Sequence, residues 1–124
     1  MTKILIIEDE KVLAEMYKDK LEESGFEVGL ASSAKDALSY LKTEKPDLIL
    51  LDILLPRENG ISLFRKIKET KAAPDIPVVA FSNYDDPLAK KEALELGVKT
   101  YLIKTQYTPK ELVEEIKKFL KPSP

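Results

Sequence analysis

The sequence predicts an α/β fold in which one parallel sheet carries helices on both of its faces, and three observations predict it. The chain has 124 residues, the length of a single domain. Short apolar runs alternate five times with stretches whose apolar residues follow the helical period. The apolar runs are bounded by polar residues, as in strands that are buried on both faces. Successive strand–helix units of this kind are typical of a parallel sheet.

The first unit starts with the run Lys3–Ile7, which ends at the acids Glu8 and Asp9. Beyond it, apolar residues recur at helical spacing and predict the buried face of the first helix: Val12, Leu13, Met16, Tyr17 and Leu21. Gly25 ends that helix, because glycine readily takes the left-handed conformation that follows a helix C-terminus.

The second unit is marked most clearly at the start of its helix. A weaker strand candidate, Glu27–Ala31, precedes Ser33, which forms a capping-box-like start with Asp36 three residues on. The apolar stripe of this helix has ideal amphipathic spacing: Ala34, Ala37, Leu38 and Leu41. Pro46 closes the unit.

The third strand, Asp47–Leu51, runs straight into Asp52. Turn-forming residues follow at 56–60. The third helix is then marked by apolar residues at helical spacing: Leu63, Phe64 and Ile67.

The fourth unit pairs the strand Ile76–Phe81 with a helix whose two ends are both marked. Asp86 can cap the start of this helix, with Pro87 as its first residue. Gly97 ends it.

The fifth strand is Val98–Ile103, and the last helix follows it. Thr108 and Glu111 form a capping box with Pro109 between them, so this helix begins at about Pro109. Its apolar face consists of Leu112, Val113, Ile116, Phe119 and Leu120.

Right-handed crossovers leave few topologies for five such units, and the flavodoxin-like strand order 2-1-3-4-5 is the natural one at this size. We therefore predict a single-domain (βα)5 doubly wound parallel sheet over residues 1–120. Residues 121–124 contain two prolines and are interpreted as a C-terminal tail or the start of a linker.

Composition limits both chemistry and location. The chain has no histidine and no cysteine, which excludes thiol catalysis, histidine bases and Cys/His zinc sites. Its 20 basic and 22 acidic residues give a net charge of −2, which argues against direct binding to nucleic acid. No apolar run approaches the ~18 residues of a membrane span, and none is long enough at the N-terminus for a secretory signal. We expect a cytoplasmic protein without membrane contact.

Polar side chains follow four of the predicted strands. In an open parallel sheet, ligands bind beyond the carboxyl ends of the strands, at the switch point between strands 1 and 3. Glu8 and Asp9 follow strand 1 and Asp52 follows strand 3, so three carboxylates should converge there. Such a cluster needs a cation, and a few oxygen ligands favour Mg²⁺ or Mn²⁺.

Ser82 and Lys104 follow strands 4 and 5 and face the same edge. Taken singly, the lysine suits a solvated side chain, the serine a turn, and Asp9 a helix cap. Taken together with the acids, they suit a phosphoryl group on a carboxylate, since phosphoryl transfer needs mainly positioning and charge neutralisation.

The sequence resembles the receiver domain of two-component response regulators over essentially its whole length. The resemblance is carried by four motifs that occur in the expected order. They are Ile4–Asp9, then Leu48–Pro56 with Gly60, then Ala80–Ser82, and finally Ala93–Gly97 leading into Tyr101–Lys104.

The resemblance implies a site and its cofactor. Asp52 is then the phosphoacceptor, and Mg²⁺ is held by Glu8, Asp9, Asp52 and the backbone carbonyl of Leu54. Lys104 pairs with the phosphoryl group. The donor is a phosphohistidine on a sensor histidine kinase or a small acyl phosphate.

The resemblance also implies a signalling output. Ser82 is the switch hydroxyl that moves toward the phosphoryl group, and Tyr101 is the aromatic residue that turns inward in response. The output surface, formed by helix 4, strand 5 and helix 5, contacts a partner protein or output domain. The domain is a monomer or a phosphorylation-dependent dimer.

Three departures from the family pattern affect the site. Thr105 replaces the usual proline after Lys104, and a cis bond to a non-proline residue costs roughly 2.5–4 kcal/mol, so we predict a trans bond and a reshaped loop. Asn83 replaces a small residue and could crowd or hydrogen-bond the phosphoryl group. Leu54 and Tyr84 are bulky where the family controls access of hydrolytic water, which predicts slow self-dephosphorylation.

Two other functions fit the fold. A phosphatase of the haloacid-dehalogenase type needs a second acid two residues after the nucleophile, and Leu54 stands there instead. A receiver-like interaction module would need no phosphorylation at all. We expect a signalling receiver that catalyses only its own phosphorylation and slow dephosphorylation.

Overall fold

A computed structural model describes residues 2–55, 58–70 and 75–120 of the chain. Its centre is a five-stranded parallel sheet with the strand order β2-β1-β3-β4-β5, which confirms the predicted flavodoxin-like topology. The strands are β1 Lys3–Ile7, β2 Glu27–Ala31, β3 Leu48–Leu51, β4 Val78–Ser82 and β5 Thr100–Ile103.

Five helices cover the two faces of the sheet: α1 Lys11–Glu23, α2 Ala34–Thr43, α3 Gly60–Glu69, α4 Pro87–Leu96 and α5 Pro109–Lys117. Alternate residues of the strands point to opposite faces, so the sheet separates two apolar layers. Leu5 and Ile49 pack in the layer beneath α2, α3 and α4. Ile4 and Leu50 pack in the layer beneath α1 and α5.

Helix starts and ends follow the local signals of the sequence. The Asp86 side chain accepts from the Leu88 backbone N–H at the start of α4, and Thr108 and Glu111 form both bonds of a capping box at the start of α5. Gly25 and Gly97 have φ of 96° and 114°, the left-handed conformation that favours glycine after a helix.

The predicted buried face of α1 is wrong at two residues. Val12 is 80% exposed and Met16 is 42% exposed, whereas Ala14, Tyr17 and Leu21 are buried. A residue two positions from Ala14 lies about 200° around the helix, so Val12 and Met16 point away from the sheet once Ala14 faces it. The prediction omitted Ala14, whose small side chain marks the buried face together with Tyr17 and Leu21.

Two expectations fall outside the described residues. The predicted turn at 56–60 includes Pro56 and Arg57, and the proposed tail comprises residues 121–124. The domain boundary at residue 120 therefore stays a prediction. In the part of the chain that is described, no helix combines the length and the apolar character that crossing a bilayer would require.

Candidate functional site

Three carboxylates meet at the carboxyl edge of the two central strands. β1 and β3 are parallel neighbours with Ile7 opposite Leu51, so Glu8 and Asp52 leave the sheet side by side. One oxygen each from Glu8, Asp9 and Asp52 lies within 4.8 Å of the others. Glu8 and Asp52 are buried, whereas Asp9 is exposed at the mouth. The convergence expected from the sequence is therefore present.

Lys104 contacts two of these acids. Its Nζ lies 2.9 Å from Asp52 Oδ2 and also forms an ion pair with Glu8 Oε1. The lysine follows β5, which pairs with β4 so that Ile103 stands opposite Ser82. Lys104 Nζ also lies over the Phe81 ring, 6.0 Å from the ring centroid. A fixed positive charge thus stands against the predicted phosphoacceptor.

Burial shapes the protonation of this cluster. It raises the pKa of Glu8 to about 7, because the hydrogen bond from Lys104 only partly offsets desolvation and the Asp52 charge opposes ionisation. Burial alone would lower the pKa of Lys104, but hydrogen bonds to Glu8 and Asp52 outweigh it and raise that pKa. Lys104 therefore stays charged. The three carboxyl groups outnumber this single positive charge, which favours binding of a further cation between them.

The Asp52 side chain is held by the backbone that follows it. Asp52 Oδ1 accepts a hydrogen bond of 2.9 Å from the Leu54 backbone N–H, while Oδ2 faces Lys104. Leu54 also pairs with Asn59 across an antiparallel bridge, and its side chain is 50% exposed. The carboxylate thus has a fixed rotamer at the mouth.

Gly60 belongs to the predicted turn at 56–60 and to the second receiver motif, and the structure gives it a packing role as well. Its N–H donates to the Ile53 carbonyl at 2.9 Å. A Cβ on Gly60 would lie 2.6 Å from Ile53 Cα and 2.7 Å from the Asp52 carbonyl oxygen. The first turn of α3 therefore packs directly on the backbone of Asp52 and Ile53, which only glycine permits.

The predicted switch residues lie together on the other side of the mouth. Ser82 is fully buried at the end of β4, and its Oγ accepts from the Tyr84 backbone N–H at 3.1 Å. The Tyr101 hydroxyl donates to the Tyr84 carbonyl at 2.6 Å. The Tyr101 ring is already buried in this structure, and burial raises the pKa of Tyr101 to about 12.

The remaining predicted residues sit on loops around the mouth. Asn83 is exposed. The Tyr84 hydroxyl donates to Asp86 Oδ2 at 2.9 Å, and this bond raises the pKa of Tyr84. The peptide bonds of the described residues are all trans, which confirms the trans Lys104–Thr105 bond, and the residues Lys104–Gln106 form a short 3₁₀ turn.

A small cavity lies beneath the site and brings in one residue that the sequence assigned only to the core. It has a volume of about 10 Å³, and Tyr17 and Phe81 line it together with Glu8, Asp52 and Lys104. That space suffices for about one water molecule. The two rings meet edge to face, with centroids 5.1 Å apart. Nothing in the spacing of Tyr17 distinguishes it from an ordinary core residue.

The donor set fits a divalent cation. Three carboxylate oxygens that lie within 4.8 Å of one another are hard ligands, and exposed Asp9 leaves that side of the cluster open to water. Mg²⁺ prefers such oxygen ligands and keeps several waters in its shell. Glu8, Asp9 and Asp52 could therefore hold it.

Comparisons with known proteins identify relatives of this chain. A family model, the response regulator receiver domain, matches residues 4–117. The alkaline phosphatase synthesis transcriptional regulatory protein PhoP of Bacillus subtilis is 35% identical over 121 residues, which are 98% of this chain and 49% of PhoP. The phosphate regulon transcriptional regulatory protein PhoB of Pseudomonas aeruginosa is 36% identical over 118 residues, 95% of this chain and 51% of PhoB.

Solved structures of response regulator receiver domains have the same fold as this chain. The receiver domain of the Francisella response regulator 1452 has a TM-score of 0.85 at 30% identity, with 96% of each chain covered. The chain spans about half the length of the two curated relatives. The family match extends over nearly all of it, and the chain belongs to the response regulator receiver domains, the signalling domains of two-component systems.

Proposed function

We propose that this domain is a phosphoacceptor switch that takes a phosphoryl group onto Asp52 in a Mg²⁺-dependent reaction. The observation that supports this most directly is the Asp52 carboxylate itself, which lies beside Glu8 and Asp9 and 2.9 Å from Lys104 Nζ. The donor is a sensor histidine kinase or a small acyl phosphate. An Asp52 oxygen forms the new bond to phosphorus, and the bond from phosphorus to the donor breaks.

Each neighbouring residue has a role in this proposal. Glu8, Asp9 and Asp52, with the Leu54 carbonyl, would hold Mg²⁺, which would neutralise charge on the phosphoryl oxygens. Lys104 would pair with one of those oxygens. Because its ammonium group already lies beside Asp52, the lysine side chain would need little rearrangement. Exposed Asn83 could contact another.

The output would pass through the switch residues. A phosphoryl group adds up to two negative charges and three acceptor oxygens, which attract the Ser82 hydroxyl and change the surroundings of Tyr101. The surface of α4, β5 and α5 would then bind a partner or output domain, or a second copy of the domain. The domain itself would bind neither nucleic acid nor membrane, and would catalyse only its own phosphorylation and slow dephosphorylation.

The test is phosphorylation of the purified domain with Mg²⁺ and acetyl phosphate. We expect the intact mass to rise by one phosphoryl group, and the rise to disappear in Asp52→Asn. Asp19→Asn, at an exposed acid on the outside of α1, is the matched control and should behave as the unmodified protein. An unmodified mass in every sample would favour a receiver-like interaction module instead.

A second test addresses the lifetime of the phosphoryl group. Leu54 and Tyr84 place bulky side chains on the loops at the mouth, and we expect them to exclude hydrolytic water. Replacing them with polar residues, Leu54→Asn with Tyr84→Glu, should raise the rate of phosphate loss after acetyl phosphate is removed. An unchanged rate would show that neither side chain limits the water.

A further inference from the structure

Tyr84, in the loop that joins β4 to α4, takes part in three hydrogen bonds to different parts of the site. Its backbone N–H donates to the Ser82 hydroxyl at 3.1 Å, and its carbonyl accepts from the Tyr101 hydroxyl at 2.6 Å. Its own side-chain hydroxyl donates to Asp86 Oδ2 at 2.9 Å. Backbone and side chain of one residue therefore connect the site hydroxyl, strand β5 and the residue that precedes α4.

Asp86 divides its carboxylate between two partners. Oδ1 accepts from the Leu88 backbone N–H at 3.0 Å and caps α4, while Oδ2 accepts from Tyr84. Pro87, the first residue of α4, has no N–H to offer, so the capping bond to Leu88 is the first that this helix makes with the loop. The position of Asp86 thus fixes where α4 begins.

α4 is lightly held by apolar packing. Its buried residues are the two alanines Ala89 and Ala93, whereas α3 buries five residues that include Phe64 and Leu63. Two alanine side chains contribute little burial free energy. Elements with little buried apolar surface move most readily. The position of α4 therefore depends strongly on the capping hydrogen bond from Leu88 to Asp86 at its N-terminus.

We propose that Tyr84 is a positioning residue that links the Ser82 hydroxyl to the N-terminus of α4. The Tyr84 backbone N–H is bonded to the Ser82 hydroxyl, and the Tyr84 hydroxyl is bonded to Asp86. A shift of Ser82 would therefore be accompanied by a shift of Asp86. As a signalling route this rests on the proposed phosphorylation of Asp52. A phosphoryl oxygen that draws Ser82 away from the Tyr84 N–H would displace residue 84, and the Tyr84–Asp86 bond would carry the displacement to the cap of α4.

The link is tested first without any phosphoryl group, by a double-mutant cycle read at the Leu88 backbone amide in NMR spectra. Ser82→Ala should shift this amide in the otherwise unmodified protein. In a Tyr84→Phe background, the same Ser82→Ala change should shift it by less than half as much. An equal shift in both backgrounds would overturn the proposal.

Two further variants keep the result specific. Asp86→Asn retains an oxygen that can cap α4 but presents an amide where Tyr84 needs an acceptor, so it should uncouple Leu88 as Tyr84→Phe does. Tyr40→Phe removes a hydroxyl from a half-buried tyrosine of α2, near the opposite edge of the sheet, and should leave the full Ser82→Ala shift in place. Full coupling in Asp86→Asn would count against the Tyr84–Asp86 bond as the link.

The same amide is then followed on addition of Mg²⁺ and beryllofluoride, a phosphoryl mimic. In the unmodified protein the amides of residues 84 and 88 should both shift. In Tyr84→Phe the shift at residue 84 should persist and that at Leu88 should fall by more than half. No response anywhere in the unmodified protein would contradict the proposed function, while the cycle in the unliganded protein would still decide the link.

Discussion

The loops that follow β3 and β4 both carry site residues, but the helices that follow them are held very differently. After Asp52, α3 buries five residues and its Gly60 touches the backbone of the acid itself. After Ser82, α4 buries two alanines and is joined to the loop through Asp86. Asp52 is therefore followed by a helix with a large buried apolar face, whereas Ser82 is followed by a helix with little buried apolar surface.

The largest expected effect comes from the core of α3. Phe64 is 1% exposed, so Phe64→Ala should reduce the free energy of unfolding by about 3–5 kcal/mol through lost burial and a cavity. On α4, Leu88 is 77% exposed, and Leu88→Ala should stay within about 0.5 kcal/mol. Urea denaturation of both variants measures the difference. Equal losses would mean that the two helices are equally anchored.

A smaller effect is expected where α3 meets Asp52. Gly60→Ala should cost about 1–3 kcal/mol, since the added methyl would lie 2.6 Å from the Ile53 Cα atom and the backbone there cannot yield easily. Gly29→Ala is the control: its methyl would meet the outer atoms of the Tyr40 ring at 2.7–2.8 Å, and that side chain can swing away. Urea midpoints with unchanged slopes provide the measurement, and a milder loss for Gly60→Ala than for Gly29→Ala would contradict this account.

The smallest effect concerns the contact between β5 and the loop before α4. Burial raises the pKa of Tyr101 to about 12, above the value near 10 of an unfolded tyrosine. The folded protein therefore holds this proton more tightly, so the Tyr101 contribution is present below pH 10 and is lost as the pH rises from about 10 toward 12. Tyr101→Phe should show a shallower alkaline loss of stability, measured by denaturation at a series of pH values. Parallel curves would mean that the Tyr101 hydroxyl does not stay protonated in the fold.

Local signals were sufficient for the fold and for the acidic cluster. Apolar runs, caps and left-handed glycines act over a few residues, so the strands, the α4 and α5 caps and the ends at Gly25 and Gly97 could all be predicted. The convergence of Glu8, Asp9 and Asp52 followed from topology alone, because the carboxyl ends of neighbouring parallel strands share an edge.

Other features depend on three-dimensional distances that the spacing of residues along the sequence does not specify. The tight fit of Gly60 is set by where α3 docks, so a turn could account for the same glycine. The Tyr84–Asp86 bond depends on the path of an irregular loop, and the exposure of Val12 and Met16 depends on which small residue of α1 faces the sheet. Each needed the packed structure to become visible.

The strand order has one more consequence for the site. The acids follow β1 and β3, which have neighbours on both sides, whereas Lys104 follows β5, which lies at the edge of the sheet. Edge strands have one hydrogen-bonded neighbour and fray before central ones. A brief detachment of β5 would carry the lysine away and leave three adjacent carboxylates in place. We therefore expect amide hydrogens of β5 to exchange with solvent faster than those of β1 and β3, and the site to lose its built-in cation before it loses any acid.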